Sequence, residues 1–349
     1  MKTIFQTTIL TAATLTAGEF TNLETQAHSA HHGRHSHSGH HLESPIGVMA
    51  SHTHKTGQWM LSYRYMFMRM EQNFVGDSTV PDSTVLSDFI VSPQDMDMQM
   101  HMLGIMFAPT DRLTLMGMLN YVETSMAHIN RMGVNFTTES TGFGDSSLGG
   151  LYKLFETDSQ NAHFGLMALL PTADIDNKDN TPLGFSQLPY PMQSGSGSWG
   201  LNPSLTWNAH LGHWSLGSQV SAKFYLADND NDYQLGNRYE GTLWAGRHLT
   251  NWLSTTVRLN LAHWEDIEGA DPNITTTAAP MGTPLPLVPT ADTALRGGTR
   301  LDFALGASLT LPKSQTRLAL EIGTPIYQNL DGPQLGIDWF ATAGLQFAF

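Results

Sequence analysis

The sequence predicts an all-β protein: a transmembrane antiparallel β-barrel of about 12 strands, with short periplasmic turns and longer extracellular loops. Three observations carry the prediction. From residue 58 onward the chain alternates apolar and polar residues with period two, the mark of strands whose two faces meet different surroundings. The connections between these segments alternate between short and long. The sequence closes on Phe349 within an alternating aromatic stretch, an ending typical of outer-membrane barrels and expected to be read by their assembly machinery. A soluble sandwich alternates too, but with shorter strands and no such rhythm of loops.

The strands are expected at 58–70, 95–108, 112–124, 142–156, 162–172, 196–208, 213–227, 233–248, 251–264, 299–312, 315–326 and 337–349. The turns "APTDR", "ETDSQN", "AHLGH", "HLTN" and "PKSQT" are short, whereas 71–94, 125–141, 173–195 and 265–298 are long. An even number of strands places both ends of the barrel on the periplasmic side. In the first strand Trp59, Leu61, Tyr63, Tyr65 and Phe67 oppose Met60, Ser62, Arg64, Met66 and Met68. In the last, Trp339, Ala341, Ala343, Leu345, Phe347 and Phe349 oppose Asp338, Thr342, Gly344 and Gln346. An apolar face with aromatic ends and a polar face with charges is lipid-out and lumen-in; backbone groups in hydrocarbon need partners, so the sheet closes.

The same phase reads the stretch "MDMQMHM" at 96–102. Leu103, Ile105 and Phe107 belong to the lipid face, so Met96, Met98, Met100, Met102 and Met106 point inward. Asp97, Gln99 and His101 then lie on the outer face, toward or above the extracellular rim. Met60, Met66, Met68 and Met70 of the first strand and Met116 and Met118 of the third share the inward phase, which sends eleven of 18 methionines into the lumen. Arg64 and Asn120 join them as expected solute-lining residues. Two readings follow: a pliable packing wall, or a thioether path for a soft ion such as Cu(I) or Ag(I).

Before the barrel, residues 1–27 resemble a weak secretory signal peptide, with cleavage after Ala27 or near Ala17. Residues 28–57 form a His-rich periplasmic segment expected to be disordered. Its His28, His31, His32, His35, His37, His40, His41, His52 and His54 are candidate metal ligands, at spacings that define no fixed geometry. The barrel domain is 58–349.

Composition removes other classes. There is no cysteine, so neither disulfides nor thiolate metal sites form. A formal net charge of −14 argues against nucleic acid as a partner. No apolar run is long enough for a spanning helix. Inward-phase Arg64, Lys223, Arg238, Glu240, Arg258, Arg300, Asp302, Arg317 and Glu321 are expected to pair across strands and stiffen the wall, or to steer a solute. Asp77, Asp82, Asp88, Glu265, Asp266, Glu268 and Asp271 give the outer rim a negative field. Asp228, Asp230 and Asp232 in "DNDNDY" read as a solvated loop tip, with Ca2+ as the alternative. "GDSS" at 144–147 matches a lipase nucleophile motif but lacks a late Asp-x-x-His, so no enzyme is expected.

Finally, "PIGVMASHTHKTGQWMLSYRYMFMRM", "MDMQMHMLGIMFAPTDRLTLMGML", "GFGDSSLGGLYKL", "LPYPMQSGSG", "LGNRYEGTLWA" and "DGPQLGIDW" resemble a group of Gram-negative outer-membrane proteins usually called simply "transporter". They are similar to the family named for the meta-cleavage pathway of phenol degradation, over residues 45–349. The resemblance implies import of aromatic compounds, while the Met- and His-rich character is more typical of relatives linked to copper or other heavy metals. It assigns no binding residue. The expectation placed first is therefore a barrel that moves or binds a small solute, a soft metal ion, along its methionines. The alternatives are a channel for small aromatic or hydrophobic compounds, and a plugged barrel whose His-rich tail sequesters metal. No cofactor is expected beyond Cu or Ag as a ligand; the expected partners are outer-membrane lipid, the assembly machinery through Phe349, and the solute.

Overall fold

The computed structural model describes residues 44–279, 284–311 and 314–349. Eleven strands close a single antiparallel ring: β1 (Trp59–Gly76), β2 (Val91–Phe107), β3 (Leu113–Asn130), β4 (Ser146–Glu156), β5 (Gln160–Leu170), β6 (Gly200–Leu211), β7 (Trp214–Tyr225), β8 (Arg238–His248), β9 (Leu253–Trp264), β10 (Gly298–Leu311) and β11 (Thr316–Ala348). Each pairs with its neighbour in sequence, and β11 pairs with β1 to close the ring. β11 is a 33-residue run that folds back on itself. Leu330 lies opposite Gly298 of β10 and also opposite Gly76 of β1, so the run climbs beside one neighbour and descends beside the other. Counting that pair as two, the described ring has twelve staves.

The predicted phase is the observed one. Leu103, Leu148 and Leu243 stand 56 %, 59 % and 60 % exposed on the outer face, within a belt of exposed apolar side chains around the ring. Such a belt in water would be an aggregation surface, and in lipid it is the spanning surface. No described helix is long and apolar enough to cross a membrane, so the strands do the crossing. Near the periplasmic rim Trp59 stacks on Phe107 at 4.3 Å, and Trp59 and Phe349 exchange backbone hydrogen bonds of 2.8 and 2.9 Å.

Above the belt the outer face of β1–β3 turns polar. Arg69 meets Glu71, Asp97 and Asp95 at 2.9, 3.0 and 3.2 Å. The Tyr65 hydroxyl donates to Gln99 at 2.7 Å, and Tyr63 bonds His101 at 2.7 Å. The polar residues of "MDMQMHM" therefore serve the rim while its methionines face inward.

Three boundaries differ from expectation. Much of 71–94 and 125–141 is ladder rather than loop: β1 and β2 extend upward, and Asn135–Phe143 is a strand on the top of β3. Polar outer residues disguise these extensions, because above the lipid a strand needs no apolar face. The expected fourth strand is broken at Gly144-Asp145, where β3 exchanges one partner for the other. The last two predicted strands meet in a tight hairpin, so the residues between them, 327–336, are mostly ladder.

Candidate functional site

The lumen holds two different arrangements. In its periplasmic half lies the segment before β1. Residues 44–57, assigned from sequence to the disordered tail, are ordered here. The signal segment and residues 28–43 lie outside the described residues. Side chains from around the ring hold this segment by its carbonyls. Arg317 of β11 donates to the Ser44 carbonyl at 2.5 Å, and Gln219 of β7 to that of Met49 at 3.0 Å. His163 Nε2 of β5 donates to Ala50 at 2.8 Å, and Asn208 of β6 to Ser51 at 3.1 Å. The His54 N–H donates to Thr114 of β3 at 3.0 Å, and Asp111 in the next turn accepts from the Thr56 N–H and hydroxyl at 2.9 and 2.8 Å. A segment tied to β3, β5, β6, β7 and β11 crosses the barrel, and these bonds satisfy backbone groups that would otherwise lie buried and unpaired.

Apolar contacts complete the seat. Ile46 and Val48 are buried, and Ala50 packs on a cluster of Met60, Met106, Met116, Leu151 and Met167. Gly47 lies over the Arg258–Glu321 pair, bonded at 2.6 and 3.2 Å. A Cβ there would sit 2.3 Å from Glu321 Oε1 and 2.8 Å from Arg258 Nη2, so any side chain would have to push this ion pair aside.

The extracellular half holds a partly open chamber of about 410 Å³. Met68, Met70, Met96, Met98 and Met126 form one side, joined by Leu335 and Ile337; Arg238, Trp264 and Arg300 stand among the residues from β8–β10. Tyr190, Ile267, Thr290 and Arg296 enter from the long connections 171–199 and 265–297. These connections are folded down rather than splayed. Met96, Met126, Leu188 and Met192 form a fully buried cluster that clamps the first of them to β2 and β3. The second packs through Ile267, Ile274, Val288 and Ala291 against Val91, Tyr190 and Tyr233. Burial pushes the Arg296 guanidinium down to about 10, against the pull of Asp266 and Asp292, which leaves it charged at neutral pH. Burial also pushes the Tyr233 phenol up.

The expected solute-lining residues divide between the two halves. Met68, Met70, Met96 and Met98 line the chamber. Met60, Met106 and Met116 belong to the cluster on which Ala50 of the N-terminal segment packs, and Met118 packs on the same cluster. Met66 and Met100 are register partners, as are Arg64 and Met102, and neither pair lines the chamber. Arg64 is buried beside the seat, and Asn120 donates to the Asp145 carbonyl at 2.9 Å. Of the nine histidines only His52 and His54 are described; their rings meet edge-on at 5.0 Å within the seated segment. Among the described residues no group of three or more His, Asp or Glu side chains is placed to hold a metal.

Other expectations resolve into structure. Two inward ion pairs form along a strand rather than across: Arg238 with Glu240 at 2.5 Å and Arg300 with Asp302 at 2.7 Å, because residues i and i+2 share a face. In "DNDNDY" the asparagines do the holding: Asn229 donates to Ser196 at 2.8 Å, and Asn231 to Asp176 and Asp271 at 3.0 and 3.1 Å. In "GDSS" the Asp145 carboxylate accepts from the Ser196 N–H and hydroxyl at 2.6 Å each and from the Gly197 N–H at 3.2 Å. Sequence reasoning missed Trp264, Arg296 and the donors His163, Asn208 and Gln219. Alternation gave the strand residues a phase, but neither the donors' common target nor the place of Arg296, which lies in a connection, was legible.

The comparisons agree with this architecture. Residues 101–272 match the family described as putative MetA-pathway of phenol degradation, a shorter span than the sequence resemblance covers. No curated protein matches the chain. Its fold is similar to that of an outer-membrane channel from Pseudomonas putida F1, at 16 % identity and a TM-score of 0.60, over 88 % of this chain and 100 % of that one. It is also similar to the transport unit of the autotransporter AIDA-I from Escherichia coli (11 % identity, 87 % and 94 % covered, TM-score 0.47). TodX, a monoaromatic hydrocarbon channel solved as a deltaS2 mutant, matches at 11 % identity, 85 % and 91 % covered, TM-score 0.40. Closed ring, apolar belt and internal polar face define an outer-membrane β-barrel of a Gram-negative bacterium, with the likeness to the phenol-degradation family borne out.

Proposed function

We propose that the protein is an outer-membrane channel for small aromatic or otherwise apolar solutes. One observation carries the reading: a chamber of about 410 Å³ inside the barrel, faced by Met68, Met70 and Met98 with Trp264, Leu335 and Ile337. Small-molecule sites are of this size and mostly apolar, with a few placed polar groups. The thioether is polarizable and pliable, suited to flat rings of differing shape. The family description and the channel similar in fold support the same class. The N-terminal segment below the chamber makes the route a gated one rather than an open aqueous pore, and the protein is read as a channel, not an enzyme.

This reading is preferred to soft-metal transport because Met96, Met126 and Met192 are spent on packing against Leu188. The test is entry of labelled toluene and of a neutral sugar into porin-deficient cells. Expression of the full chain should raise toluene entry and leave sugar entry unchanged. Replacing Met68 and Met98 with glutamine should lower the gain. Equal increases for both solutes would make the barrel a general pore and end the proposal.

A further inference from the structure

The chamber's two sides differ in chemistry, and we propose that it selects an amphipathic anion: a ring-bearing carboxylate, its ring on the methionine side and its carboxylate held by Arg238 and Arg300, with Arg296 above. This rests on the aromatic-solute reading and names the substrate class of the same site.

Arg238 and Trp264 are register partners on β8 and β9, and Ala262 stands between Glu240 on one side and Arg300 on the other. Both guanidiniums lie by the Trp264 ring, 5.2 and 5.9 Å from its centroid. Trp264 is itself fixed by a 2.7 Å bond from its indole N–H to the Arg296 carbonyl. Gly298 opposite makes the room: a Cβ there would come within 2.9 Å of the indole.

The distribution of bonds points to a ligand. Arg238 and Arg300 each give only Nε to the carboxylate two residues along, and among the described residues their terminal nitrogens donate no hydrogen bond. Among the described residues, Nη1 of Arg296 is buried with no partner. Glu265, the acid at the chamber wall, is engaged by the Asn237 amide at 3.0 Å and the Tyr239 hydroxyl at 3.5 Å. Among the charged residues that line the chamber, the groups left uncommitted are therefore guanidinium nitrogens, which match a carboxylate in two parallel bonds. Wall-stiffening ion pairs alone would have consumed those forks.

The test is calorimetry on the folded full chain in detergent, with benzoate and with benzamide, its neutral analogue of like shape. Benzoate should bind at least about tenfold more tightly than benzamide, the effect of one charge-assisted contact. Arg238→Gln with Arg300→Gln should abolish that preference, bringing benzoate binding down to the level of benzamide. Should that variant fail to fold, as read by heat-shifted gel migration, Arg296→Gln in the connection outside the ring should still weaken benzoate selectively. Benzamide and toluene binding without preference for benzoate would overturn the anion site and leave the apolar channel standing. No binding of benzoate, benzamide or toluene would overturn both.

Discussion

At the periplasmic end of the lumen amides, an imidazole and a guanidinium each reach a backbone carbonyl of the N-terminal segment, beside a cluster of methionines on which Ala50 packs. At the extracellular end the inward side chains are thioethers and arginines, and they face a chamber. The carbonyl donors come from β5, β6, β7 and β11, whereas the chamber's thioethers and strand arginines come from β1–β3, β8 and β10, all in the same inward phase. The difference lies in the donors: at one end four of them match a stretch of backbone, whereas the chamber's strand arginines each bond a carboxylate two residues along. A barrel can thus be closed at one level and hollow at another without any change of strand geometry.

The most direct way to break the comparison is to remove the segment. Deleting residues 44–56 should raise single-channel conductance by about an order of magnitude, since the seat would fill with water and ions; planar-bilayer recording checks it, and unchanged conductance would mean that the connections above set the barrier. Next in size is Arg258→Met. It leaves Glu321, 1 % exposed, as a buried charge without its partner, at a cost of about 3–5 kcal/mol. Urea unfolding of the inserted barrel should show it, and adding Glu321→Leu should restore most of the loss.

Met192→Ala tests the extracellular half. It opens a hole in a fully buried cluster and should cost about 2–5 kcal/mol, while Met98→Leu, which keeps the volume, should cost less than about 1.5 kcal/mol. Comparable losses from the two would mean that the chamber wall is as tightly packed as the clamp. Gly47→Ala sharpens the other side: crowding Glu321 should weaken seating by about 1–3 kcal/mol, seen as more frequent openings without loss of barrel stability.

The smallest effect is with pH. The Thr56 N–H and hydroxyl hold the Asp111 carboxyl below its usual range. A depressed acid contributes stability above its unfolded value and loses it as pH falls through the folded one, so the segment's last anchor loosens in acid. Asp111 is exposed and the contribution is modest. Openings should become more frequent below the ordinary carboxylate range, and Asp111→Asn should remove that dependence.

The legible part of the site was its phase. Period-two alternation told lumen from lipid for "MDMQMHM", and the same rule placed Arg238, Arg258, Arg300 and Glu321 inside. Partners were less legible. Alternation says that Arg258 and Glu321 share a side but not that β10 lies between their strands, nor that Arg238 would take the acid on its own strand. The extended rims were missed because polarity on the outer face was read as loop, when above the lipid a strand loses its apolar face and keeps its ladder.

By itself, the sequence determined the barrel, its inner and outer faces and the positions of most turns, since alternation and turn chemistry are local and a one-residue slip would turn every side chain to the wrong solvent. The tertiary structure decided what fills the lumen. Ser51 meets Asn208 across 157 residues of chain, and Ser44 meets Arg317 across 273. Such contacts exist only once the ring has closed and brought distant inward faces to one axis, and no local pattern records them.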